Sequence, residues 1–143
     1  MEIRQKIEMI EKLTIDLHKR LSDRILVNIK PALSMSHIYL LTYIRCKGSC
    51  KVTEMANHLG ITLSAVTSLV DKLCDTGLVI RHRSEEDRRV VFMKLTEEGE
   101  KFLKYIDENR IRLFEKVFSN LSDEEIDSYF GITERLARNI LSL

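Results

Sequence analysis

Three cysteines and four histidines are the side chains best suited to covalent or metal chemistry. Their spacing supports little of it. The histidines stand at positions 18, 37, 58 and 82, and no two lie four apart as paired helical ligands would. A zinc centre needs such clustering, so no metal and no cofactor are expected. Cys46 and Cys50 lie four apart across Lys47-Gly48-Ser49. They could form a regulatory disulfide, and Arg45, Lys47 and Lys51 beside them would lower a thiol pKa. Small packing residues are the plainer role for both. With Cys74 the count is odd, which argues for reduced thiols in a cytoplasmic protein rather than a disulfide scaffold. The chain has no phosphate-binding glycine loop, no metalloprotease histidine pair and no nucleophile elbow, so it does not read as an enzyme.

The chemistry left is that of binding. In a helix from Thr62 to about Cys74, Val66, Leu69, Val70 and Leu73 recur at helical spacing and face a core. Ser64, Thr67, Ser68, Asp71 and Lys72 then face outward. Short hydroxyl side chains with one cation suit a recognition helix reaching base edges and phosphates in a major groove. A plain amphipathic helix with a solvated face fits the same pattern. Downstream, Arg81, Arg83, Arg88 and Arg89 gather with His82 around the loop Ser84-Glu85-Glu86-Asp87-Arg88-Arg89. Arginine at a hairpin tip suits the concentrated negative potential of a narrow minor groove. Asp87 is expected to pair with a nearby arginine and stiffen the loop. Glu85 and Glu86 oppose such binding unless they turn away, and a solvated charge run is the alternative.

The elements that must position these residues are mostly helices. Ile3, Ile7, Ile10, Leu13, Leu17, Leu21 and Ile25 mark one face of a long helix ending before Pro31. Ser34 caps a second helix, with His37 where a capping box usually has Glu or Gln, and Gly48 ends it. Thr53 to Leu59 is a short helix with Met55, Ala56 and Leu59 inward, stopped by Gly60; Thr62 caps the next. Leu78 to Arg83 and Val90 to Leu95 read as a hairpin. Thr96-Glu97-Glu98-Gly99 starts a helix with acids in its first turn. Ser122-Asp123-Glu124-Glu125 is a capping box for a last helix, where Gly131 suggests a close helix contact.

Total charge is +1, but it is unevenly spread: residues 1–50 balance at +4 and residues 95–143 at −4. A basic front and an acidic tail suggest one DNA-facing side, although chance clustering gives the same picture. No apolar run is long enough to span a membrane. At 143 residues the chain fits one domain, mainly α with a small β-hairpin wing.

The series Thr53-Glu54-Met55-Ala56, Leu59-Gly60-Ile61, Val66-Thr67, Leu69-Val70-Asp71-Lys72-Leu73, Gly77-Leu78-Val79, Asp87-Arg88-Arg89 and Leu95-Thr96-Glu97-Glu98-Gly99 resembles the MarR family of winged-helix transcription regulators. The likeness runs over essentially the whole chain. It implies a winged helix-turn-helix lobe at 34–95, with 1–30 and 97–143 as long dimerisation helices of a single domain. It also implies a homodimer on double-stranded DNA at a pseudo-palindromic operator, acting as a ligand-responsive repressor. Carried over by position, base reading falls on Ser64, Ala65, Thr67, Ser68 and Lys72, and wing contacts on Asp87, Arg88 and Arg89, with Arg81 and Arg83 adding phosphate affinity. Members often carry a basic residue where this chain has Ser68, and Gln where it has His37. The resemblance further implies a small aromatic or amphipathic effector in a crevice, for which His37, Tyr39, Tyr43 and Phe102 are candidates; helical packing explains each aromatic equally well. Some relatives sense oxidants through a cysteine near the N-terminus, and this chain has none before Cys46. Two other readings remain: a thiol-based redox regulator using Cys46 and Cys50, and a winged-helix protein–protein module that has lost DNA binding.

Overall fold

The computed structural model describes all residues from Met1 to Leu143. Six helices and one hairpin follow in the order α1 (Ile3–Leu26), α2 (Met35–Lys47), α3 (Val52–Leu59), α4 (Leu63–Asp75), β1 (Val79–Arg83), β2 (Val91–Leu95), α5 (Glu97–Phe118) and α6 (Asp123–Leu141). The chain divides into two compact units, 1–109 and 110–143.

Local signals set most boundaries in the first unit. Ser34 caps α2, and the His37 ring takes the place of a capping glutamate: its Nδ1 accepts from the Ser34 backbone N–H at 3.1 Å. Gly60 closes α3 in the left-handed region at φ 65°, where a side chain is strained. Thr62 restarts the chain at once, its hydroxyl oxygen accepting from the Ala65 N–H at 3.1 Å. This turn sets α3 and α4 against each other.

The core of the unit is drawn from every element after α1. Leu40, Leu41 and Ile44 of α2, Met55 of α3, Val66, Val70 and Leu73 of α4, Met93 of β2, and Leu103 and Ile106 of α5 are all fully or almost fully buried. The hairpin is antiparallel, pairing Val79 with Leu95 and Arg83 with Val91. Its strands each start one residue later than the sequence suggests. Cys50 extends the hairpin on its other edge, exchanging backbone hydrogen bonds with Met93 at 3.1 and 2.7 Å. The start of α5 is locked to the base of the hairpin. Thr96 donates its hydroxyl to the Gly77 carbonyl at 2.6 Å and its N–H to the Leu78 carbonyl at 3.1 Å.

By contrast, α1 buries only Ile25, and Ile3, Ile7, Ile10, Leu13 and Leu17 are exposed. In the second unit, α6 starts at the Ser122 capping box and buries none of its residues. Tyr129 packs edge-on against Phe118, with ring centroids 5.8 Å apart. Phe130, Ile132, Leu136 and Ile140 stand exposed. Gly131, read from the sequence as a close-contact position, has nothing within 4 Å of where a Cβ would stand. No other part of this chain uses that space.

Gly99 does answer to a close approach. A Cβ there would run into the Leu78 carbonyl oxygen and come within 3.3 Å of the Leu95 side chain. Since the obstacle is backbone, Gly99→Ala should destabilise the fold by about 1–3 kcal/mol, the usual cost of overpacking, measured by urea denaturation. An unchanged midpoint would mean that α5 can slide away from the hairpin.

Candidate nucleic-acid interface

On α4, the apolar ridge of Val66, Val70 and Leu73 is buried, which turns Ser64, Ala65, Thr67, Ser68 and Lys72 to the exterior. The five side chains differ in what they still offer. Thr67 donates its hydroxyl to the Leu63 carbonyl at 2.9 Å, so that proton is spent within the helix. Asp71, one turn on, is ion-paired with Arg81 of β1. Lys72 keeps its charge without a partner among the ion pairs. Leu63 and Ile61, at the entry to α4, are exposed apolar residues that the sequence reading passed over. Their signal was present: Leu63 lies three residues before Val66, at the margin of the buried stripe.

The loop after β1 is tied together by short-range bonds. Ser84 Oγ accepts from the N–H groups of Glu86 and Asp87 at 3.2 and 3.3 Å. Arg83 reaches across to donate to the Arg88 carbonyl at 2.9 Å. Asp87 accepts from Arg89 three times: from the backbone N–H at 3.0 Å, from Nε at 3.2 Å and from a terminal nitrogen at 3.3 Å. Those bonds, the side-chain ones foremost, hold the exposed Asp87 carboxyl below the ordinary aspartate range. Arg88 is exposed at the same loop, and its guanidinium has no partner in the chain. Of the four arginines here, Arg81 and Arg89 are matched by carboxylates and Arg83 by a carbonyl, leaving Arg88 free. Toward the loop end of the hairpin, His82 stacks on Phe92 with centroids 5.6 Å apart, and Lys51 lies 5.8 Å from the Phe92 centroid.

The four residues named for an effector crevice do not come together. His37 and Phe102 are buried. Tyr39 and Tyr43 instead line an open cleft of about 460 Å³ with Thr42, Cys46, Lys47, His58 and Leu59. There the Tyr43 and His58 rings stack at 4.3 Å, and Lys47 lies 5.8 Å from the Tyr43 centroid. Burial, followed by the nearby charge of Lys72, lowers the pKa of His37. A neutral ring is what its cap requires, since Nδ1 must accept.

Of the two roles open to Cys50, reactive thiol or packing residue, its surroundings favour the second. Cys50 is buried, and burial first and Glu54 second push its pKa up to about 11, with Lys47 opposing weakly. Arg45, expected to help, is engaged by Asp107 of α5 at 2.8 Å. Cys74 is also raised, again chiefly by burial. All three cysteines are free, and Cys46 alone is exposed. No three histidine, cysteine or carboxylate side chains cluster as metal ligands.

Two measurements check this chemistry. A thiol reagent at neutral pH should label Cys46 in the folded protein and Cys50 only after unfolding; rapid labelling of Cys50 would show that its site opens. A carboxyl held below its ordinary range keeps its bonds at neutral pH and loses them as pH falls through that lowered value. Asp87 should therefore titrate by NMR below the other exposed aspartates, and Arg89→Ala should return it to their range.

Comparison with known proteins agrees with this geometry. The MarR family profile matches residues 33–91, from the residue before the α2 cap to the start of β2. An uncharacterised HTH-type transcriptional regulator of Bacillus subtilis, YpoP, is 30% identical over 127 residues, spanning 89% of this chain and 90% of that one. The HTH-type transcriptional repressor MdtR of the same organism is 30% identical over 109 residues, 76% of this chain and 70% of MdtR. A MarR family protein from Bacillus stearothermophilus superposes with a TM-score of 0.83 at 28% identity, covering 99% of each chain.

Proposed function

The chain belongs to the MarR family of transcription regulators, and from that premise we propose that it is a repressor binding a pseudo-palindromic DNA operator as a homodimer. The observation that carries this reading is the distribution of free charge. Between them, α4 and the wing pair Asp71 with Arg81 and Asp87 with Arg89; Lys72 and Arg88 are left unpaired, and so are the acids Asp75, Glu85 and Glu86. Two unpaired cations beside a row of exposed hydroxyls suit phosphate and base contact. In this reading α4 enters the major groove and Arg88 at the wing enters the minor groove. Ser64, Ala65, Thr67, Ser68 and Lys72 face base edges and phosphates. Arg81, Asp87 and Arg89 shape the surface through their ion pairs, with Arg83 bracing the loop.

The dimer rests on the helices with nothing to pack against. An apolar row on α1 and another on α6 are exposed in the lone chain, which is the mark of a partner surface. Residues 1–30 and 97–143 are thus assigned to dimerisation and 34–95 to DNA binding. A two-fold dimer presents its lobes to half-sites about 34 Å apart, one turn of duplex. A small aromatic or amphipathic effector is proposed to shift the dimer between two arrangements with different DNA affinity. The Tyr39–Tyr43 cleft is the part of the expected crevice set that stays together. No helix is long and apolar enough to cross a membrane; a regulator of this kind works in the cytoplasm.

Selection from a random duplex pool should return palindromic sites bound by two chains. Affinity should fall linearly on a log–log salt plot, with a slope of about −0.9 per phosphate contacted. Arg88→Ala should weaken binding to all sequences and flatten that slope by about one. Salt-independent binding, or none, would instead favour a protein–protein module.

A further inference from the structure

We infer that Leu63, together with the methyl group of Thr67, reads the 5-methyl group of thymine in the operator. The inference rests on α4 being the groove-reading helix and adds the base class it recognises. Leu63 stands at the first position of α4 and is 51% exposed, while its neighbour Ile61, just before the cap, is 39% exposed. Ile61 occupies the place from which an apolar side chain staples the fourth helical residue, here Val66. Leu63 is half covered at the margin of the buried stripe and turns the rest of its side chain outward, and an exposed leucine at a helix entry gains nothing from solvent.

Leu63, Thr67 and Asp71 succeed one another at four-residue steps, so they form one flank of the helix. Each polar group on that flank is already engaged. The Thr67 hydroxyl proton goes to the Leu63 carbonyl at 2.9 Å, which leaves the side chain a methyl group and an acceptor lone pair. The Asp71 carboxylate, which could accept from a cytosine amino group, is taken by Arg81. What remains at the leading end of the flank is hydrocarbon. Among the base edges exposed in a major groove, only thymine presents hydrocarbon. The flank therefore discriminates thymine from cytosine by an apolar contact and by a carboxylate withheld from the amino group.

The test removes the methyl from either side of the contact. Operators selected by the intact protein should carry a fixed thymine in each half-site. Replacing it with deoxyuridine deletes only the methyl and keeps base pairing. Wild-type affinity should drop about fourfold per methyl lost, the worth of one buried methyl-sized group. Leu63→Ala should bind the thymine operator more weakly and distinguish it less from the deoxyuridine operator, closing a double-mutant cycle. Leu63→Met, which keeps a hydrocarbon of similar size, should restore the discrimination, and its melting curve guards against a folding artefact in the alanine variant. If no thymine is selected, or if Leu63→Ala discriminates as well as wild type, the inference is overturned while DNA binding stands. If wild type selects no sequence at all, the regulator reading falls with it.

Discussion

Four elements meet at the backbone of Gly77 and Leu78, and the geometry of the wing depends on that junction. The Leu78 N–H donates to the Leu73 carbonyl at 3.1 Å, which ties it to the end of α4. Its carbonyl accepts from Thr96, and the Gly77 carbonyl accepts the Thr96 hydroxyl, so the end of β2 and the start of α5 are drawn to the same point. Gly99 completes the contact because it has no side chain to hold α5 away. A hairpin of two short strands is marginal alone. Anchored here and edged by Cys50, it holds a fixed direction relative to α4. In the proposed regulator, the helix set to read the groove and the wing then present one surface.

On that surface, electrostatics works by subtraction. Net charge is only +1, and around α4 and the wing two carboxylates and two arginines answer each other within the chain. The carboxylates do not simply oppose a polyanion. Asp87 turns a flexible loop into a shaped one, and Asp71 draws Arg81 against α4. Such exposed pairs contribute little to stability. Their effect is to decide which cations remain free and where those cations stand.

What the sequence made legible was local or periodic. The caps at Ser34, Thr62 and Ser122 need only residues three apart, and each formed where expected. The helical face of α4 followed from spacing, and so did the apolar row of α1. Pairings across the fold were hidden. Arg45 and Asp107 are 62 residues apart, and nothing local foretells their contact. The sign of the Cys50 shift was misread because flanking cations are visible in a sequence, whereas the depth of the thiol is not. The effector residues failed to gather for a related reason: His37 and Tyr39 are two apart on a helix, so one points inward when the other points out. Leu63 was overlooked because the outward face was sought among polar side chains, and an apolar residue there carries no such signal.

In the proposed dimer, a helix that buries none of its residues within the single chain makes folding partly a second-order process. The core built from α2 to the start of α5 is internal, so those elements do not need a second copy to be buried. The apolar side of α6 has no such independence, and its stability rises with the logarithm of protein concentration once it is covered by a partner. Dilution would loosen that helix first and expose it to proteases, so the abundance of the regulator would feed back on its own lifetime. An operator that holds two copies side by side raises their effective concentration. Bound DNA would then protect from turnover a helix that lies outside the groove.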